Sequence, residues 1–247
     1  TIYIDLTTSA HHSCLWSGIS RIVFMLAKSL FDLVPHNIRF IVWNSLSGYY
    51  FEVPSPEKIS LETLNLVARN SVEFFPDFIS QVRFGQNSTI FMMGSSWMQN
   101  QNYVYSLLHI CKNNQVRLAF VIADIIPIKF PEWMPPGYSS RFLKHLKLLL
   151  KYSDLLFAIS KHTKKDVLEF ARKHNISIVD VSVFRLGDTI QENRDLFTKS
   201  NEKQEGKHLP DFLKPKQFIL NVGAIHYRKN PHLLYTVWKR LEHELGY

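Results

Sequence analysis

"VRLAFVIADIIPIKFPEWMPPGYSSRFLKHLKLLLKYSDLLFAISKHTKKDVLEFARKH" occupies residues 116–174. Residues 116–122 form a short apolar run of buried-strand type. A proline-rich loop follows. Residues 137–153 then repeat apolar side chains at Phe142, Leu143, Leu146, Leu149 and Leu150, the spacing of one helix face. A second strand, 154–160, and a second helix, 161–174, close the stretch. Strand, helix, strand, helix is the pattern of a parallel sheet with crossover helices.

The same alternation extends in both directions. Towards the amino end it predicts strands over 1–6, 38–44 and 88–93 and helices over 18–34, 57–71 and 102–113. Towards the carboxyl end it predicts a strand over 178–184. The expected fold class is α/β: a Rossmann-like, mostly parallel sheet with helices on both faces. In such sheets ligands bind beyond the carboxyl ends of the strands. The informative loops are therefore 7–17, 94–101, 123–138 and the turn at Gly187. Between residues 187 and 216 the chain turns polar and charged and reads as a linker. "FILNVGAIHYRKNPHLL" then starts a new strand and helix. Three regions are expected: an amino-terminal domain over 1–186, a linker over 187–216, and the opening of a second α/β domain over 217–247.

The chain has 247 residues, 46% of them apolar and 20% charged, which is globular composition and argues against disorder. No apolar run reaches the roughly 18–20 residues that span a bilayer. Cys14 and Cys111 stand far apart in no metal-ligand spacing and read as reduced thiols of a cytoplasmic protein. No metal constellation is expected, because His11 and His12 are adjacent and project to different sides. The net charge of +8 points to an acidic partner: nucleotide, phospholipid surface or nucleic acid.

Neither G-x-G-x-x-G nor G-x-x-x-x-G-K-[ST] occurs, so dinucleotide-binding and P-loop readings lose their support. Gly18 stands where a helix opens. It fits a phosphate cradled by free N–H groups, or simply a tight strand-to-helix turn. Asp124 follows the strand over 116–122, where α/β enzymes bind ligands, and is also an ordinary turn residue. Arg228 and Lys229 precede a helix opened by Pro231, a cationic corner suited to a diphosphate or to solvent. Trp133 and Tyr138 fit stacking on a sugar ring or packing. Arg141, Lys144, Lys147 and Lys151 share one helical face, which either meets anionic lipid or is solvated.

Three segments taken together resemble retaining glycosyltransferases of the two-domain GT-B fold, family four. They are "SGISRIVFMLAKSL", "DIIPIKFPEWMPPGYSSRFLKHLKLLLKYSDLLFAISKHTKKDVLEF" and "FILNVGAIHYRKNPHLL". The middle one is similar to that family's H-D-L-I-P-x-x-x-P-E-x-x-P segment, and the last to its V-G-x-x-x-x-R-K-N. The resemblance implies that Gly18 approaches a donor diphosphate and that Arg228 and Lys229 neutralise it. It implies a catalytic-site role for Asp124 and acceptor contacts at Trp133, Tyr138 and Arg141. The implied reaction moves a hexose from a nucleotide-diphosphate sugar to a glycan or lipid-linked acceptor, with retention and no metal or other cofactor.

Two departures stand out. Ala123 occupies the family's usual histidine position, and Ala224 replaces a frequent arginine. The family's later pair of glutamates does not occur, so the chain is expected to be a piece of a longer enzyme, inactive alone. Its opening on Thr1 likewise implies an upstream start. Location at the inner face of a membrane, with Lys144, Lys147 and Lys151 towards anionic lipid, is the accompanying expectation. The competing readings are a non-catalytic module for a glycan, membrane or protein partner and, with no motif behind it, nucleic-acid binding, which is not expected.

Overall fold

A computed structural model describes residues 1–11, 18–55, 58, 60–99, 101–187, 221, 223, 225 and 229–246. The chain divides into two units, Thr1–Thr189 and Ile190–Tyr247.

The first unit is built on eight strands: β1 (Ile2–Asp5), β2 (Ile38–Trp43), β3 (Tyr50–Val53), β4 (Ser80–Gln81), β5 (Thr89–Met92), β6 (Arg117–Ile122), β7 (Leu155–Ala158) and β8 (Val181–Val183). They join in the order β4-β3-β2-β1-β5-β6-β7-β8. All neighbours from β2 to β8 are parallel. β3 and β4 run antiparallel at one edge. The architecture is α/β with a mostly parallel sheet, consistent with a Rossmann-like arrangement.

Period-two alternation sends successive side chains to opposite faces. On β1, Tyr3 enters one core cluster and Ile4 the other; on β2, Ile41 and Trp43 oppose Phe40 and Val42. Helices α2 (Gly18–Leu33) and α3 (Leu61–Arg69) cover the second cluster through Val23, Ala27, Leu64 and Val67. Helices α4 (Gln101–Asn113), α6 (Tyr138–Tyr152) and α7 (Lys161–Lys173) cover the first through Leu107, Leu146, Leu149 and Val167. From β1 the chain steps one way to β2. From β5 it steps the other way through β6, β7 and β8. With crossovers of one hand, this reversal puts the two helix sets on opposite faces.

Several features depart from the expected pattern. β3 and β4 are additional strands. A five-residue helix, α1 (Thr7–His11), leaves β1 directly, and a four-residue turn of helix, α5 (Ile126–Lys129), interrupts the proline-rich loop. α3 opens at Leu61 rather than at 57, because the Ser60 hydroxyl accepts the Thr63 amide at 3.0 Å and sets the cap there. The strand expected over 178–184 narrows to Val181–Val183.

In the second unit the expected strand over 218–222 lies almost wholly outside the described residues. Helix α8 (Pro231–Leu245) is described. Asn230, at φ 46°, caps it by accepting the Leu233 amide at 3.2 Å, with Pro231 at the first helical position. Leu233, Leu234 and Val237 are exposed.

Candidate functional site

The strand order reverses between β1 and β5, and the crevice outside their carboxyl ends is where a sheet of this type takes ligands. A dense polar arrangement stands there. Asp5, the last residue of β1, is buried and accepts hydrogen bonds from the Thr7 amide at 2.8 Å and the Tyr50 hydroxyl at 3.2 Å. The Tyr103 hydroxyl donates to it as well. Burial pushes the Asp5 carboxyl above its usual range, and the Thr7 side chain and amide and the two phenols pull it back. Both phenols are held well above theirs, first by burial and then by the Asp5 charge. The cluster therefore keeps its phenolic protons and pins β1, β3 and α4 together.

Beside it, Thr7 Oγ1 accepts the Trp43 amide at 2.9 Å. Thr8 presses on the loop after β5. A Cβ on Gly94 would lie 2.6 Å from Thr8 Oγ1, and Gly94 also has φ +92°. Only glycine meets both demands. Two residues on, Ser96 Oγ lies 2.6 Å from His145 Nε2 of α6. Burial lowers the His145 imidazole to about 3, so it is neutral near pH 7. Trp97 packs edge-on against Phe142, 4.7 Å between centroids, and against Tyr138 at 6.3 Å.

Asp124 stands two residues beyond β6, half-buried. Its Oδ1 accepts the Ile126 amide at 3.0 Å and so opens α5. Its observed work is that of a turn residue, with the second oxygen left for other partners. Ala123, at the position where the resembled family carries histidine, offers its carbonyl to the Thr163 hydroxyl at 3.0 Å. Trp133 stacks on Phe130 at 4.1 Å with rings 7° apart, so one indole face is already covered. Tyr138 begins α6 and spends an edge on Trp97. Gly18 is exposed at the head of α2, and a Cβ built there meets nothing within 4 Å. No described neighbour demands glycine at that position.

Arg141, Lys144 and Lys147 line one cavity of about 420 Å³ between α4 and α6, together with Ser96, Trp97 and Gln99. Lys151 is not among its lining residues. Its Nζ stands 5.1 Å from the centre of the Tyr152 ring. The stripe read from helical spacing thus splits into three cations on a concave wall and one against its neighbour. Lys229 is exposed in the second unit, and Arg228 lies outside the described residues. So do Cys14 and His12. Cys111 carries a free thiol pushed up to about 12, mainly by burial and further by Asp154.

The Ser96–His145 pair and the Asp5–Tyr50–Tyr103 cluster were not expected from sequence. Their members lie 45 to 98 residues apart. The one local hint was an acid ending the apolar run of β1. Among the described residues, no group of three or more His, Cys, Asp or Glu side chains is arranged to hold a metal ion. No helix of the described residues is long and apolar enough to cross a membrane. The chain matches no family model, no curated protein and no solved structure.

Proposed function

We propose that this chain is the acceptor-side part of a retaining glycosyltransferase of GT-B type, joined to the opening of its donor-binding domain. It serves transfer of a hexose from a nucleotide-diphosphate sugar to a glycan or lipid-linked acceptor in surface polysaccharide or glycolipid synthesis. The observation that carries this reading is the position of the most specific resembling segment. That segment begins at Asp124, directly beyond the carboxyl end of β6 and on the ligand-binding edge of a doubly wound sheet.

In this reading the amide end of α2, at Gly18, faces the donor diphosphate, where the free N–H groups and the helix dipole favour negative charge. Asp124 keeps one oxygen on the Ile126 amide and turns the other towards the reacting sugar. Lys229, with Arg228, offsets the charge that grows on the departing nucleoside diphosphate. Trp133, Tyr138 and Arg141 contact the acceptor. The protein works in the cytoplasm, at the inner face of a membrane.

The test is sugar transfer by the protein that contains this chain, assayed against a panel of nucleotide sugars. Lys229→Ala is expected to lower kcat about 100-fold, the usual scale for losing one donor to a developing negative charge. Asp124→Asn keeps the amide acceptor and removes the carboxylate charge. Its expected signature is lost turnover at unchanged stability. Wild-type turnover in both variants would overturn the assigned roles. A second reading retains the fold as a binding module without chemistry. It is favoured by Ala123, whose methyl offers no donor where the resembled family has histidine. Acceptor binding with no transfer under any donor would select it.

A further inference from the structure

The cavity between α4 and α6 has a wall of unusual charge. Arg141, Lys144 and Lys147 line it, and neither Asp nor Glu does. None of the three has an ion-pair partner among the described residues. Elsewhere lysines are paired: Lys129 with Asp166 at 2.9 Å, Lys164 with Asp180 at 3.0 Å and Lys239 with Glu242 at 2.7 Å. The Trp97 ring lines the same cavity. The Ser96–His145 pair also borders the cavity and adds no charge near pH 7, because the imidazole is neutral.

The three cations form a set of donors without an acidic partner on the cavity wall. A guanidinium fork and two ammonium groups are suited to an anion with several oxygens, phosphate above all. A volume of about 420 Å³ suits a small molecule. A bilayer fits poorly. The apolar face of α6, Phe142, Leu146, Leu149 and Leu150, is buried in the core, so the helix has no apolar side left for acyl chains. The cations line a hollow, which a flat surface reaches less well than a small solute.

We propose that this cavity binds a small phosphorylated ligand of sugar or polyol size, its phosphate held by Arg141, Lys144 and Lys147. The site stands whether or not the protein transfers sugar.

The experiment is calorimetric titration of the full chain at low salt with glucose 6-phosphate, inorganic phosphate and glucose. It is repeated with anionic phosphatidylglycerol vesicles. At least one phosphate probe is expected to bind and glucose is not. Lys144→Gln should weaken that binding about tenfold, the equivalent of one charge-assisted hydrogen bond. Arg141→Gln/Lys144→Gln/Lys147→Gln should abolish it, and Lys151→Gln, outside the cavity, should leave it within about twofold. Arg141, Lys144 and Lys151 are exposed and Lys147 is half-buried, and circular dichroism checks that the helix content is retained. The proposal is overturned if neither phosphate probe binds, or if Lys151→Gln weakens binding as much as Lys144→Gln. It is equally overturned if only the vesicles bind in a manner sensitive to the triple variant.

Discussion

α6 and α7 flank the same strand, β7, and cover the same face of the sheet, and both are rich in lysine. Their charges meet opposite fates. α7 contains its own acids: Lys165 pairs with Glu169, and Asp166 takes both Lys129 and His162. Lys164 reaches Asp180 ahead of β8. α6 contains no acid from Tyr138 to Tyr152, and Arg141, Lys144 and Lys147 stay without an ion-pair partner among the described residues around a hollow. The histidines differ too. His145 of α6 is buried against Ser96, while His162 of α7 is exposed. Two lysine-rich helices therefore differ through their acids: in α7 lysines pair at the surface, and in α6 three cations remain available.

The comparison breaks first at the core. Phe142 and Val167 anchor the two helices in one cluster. Phe142→Ala should cost about 3–5 kcal/mol and Val167→Ala about 2 kcal/mol, read from denaturation midpoints. Equal losses would mean that α6 is not the more deeply seated helix.

Acid sharpens it next. His145 is neutral in the fold, so below about pH 6.5 the unfolded chain takes up a proton that the fold refuses until about 3. Stability falls through that window, by up to about a factor of ten in the folding constant per pH unit. Asp5, whose pKa is raised, acts in the opposite sense. It contributes stability at low pH that is lost as pH rises through its folded value, and so partly masks the slope. His145→Gln should flatten the acid limb, seen as unfolding midpoints that converge between pH 6 and 4. An unchanged slope in that variant would remove His145 from the account.

The helix starts come third. α7 opens on Ser160, whose hydroxyl accepts the Thr163 amide at 3.0 Å. α6 opens on Gly137 at φ 76° with no side-chain cap. Ser160→Ala should cost about 1 kcal/mol by loss of the cap. Gly137→Ala should cost a similar amount, about 1–2 kcal/mol, by strain in the left-handed region. The smallest effect distinguishes the charges themselves. Lys164→Met should lose about 0.2–1 kcal/mol at low salt and less at high salt. Lys144→Met should lose nothing measurable, since no pair is broken.

Much of this architecture was legible in advance. The apolar runs IRFIVW and RLAFVI announce central strands. The spacing of Arg141, Lys144, Lys147 and Lys151 announces a common face, from which the structure brings the first three and not Lys151 to one cavity. β3 and β4 escaped because four residues, Tyr50–Val53, and a polar pair at the edge, Ser80–Gln81, are too short to show a period. α1 escaped because Thr7, Thr8 and Ser9 compete for backbone hydrogen bonds and read as loop. At the candidate site, Asp124 was expected beyond a strand end and is found there. Its hold on the Ile126 amide and the covering of Trp133 by Phe130 became visible only in three dimensions.

By itself the sequence determined what depends on near neighbours along the chain. That includes the alternation of strand and helix, the face each side chain takes, and the absence of acids from α6. Which strands lie side by side was decided by the tertiary structure. β1 pairs with β5, far along the chain, and so creates the switch point; the same packing joins Asp5 to Tyr103 and Ser96 to His145. Periodicity records how one segment meets water. Pairing records which surfaces leave water together, and that choice is made by the whole chain at once.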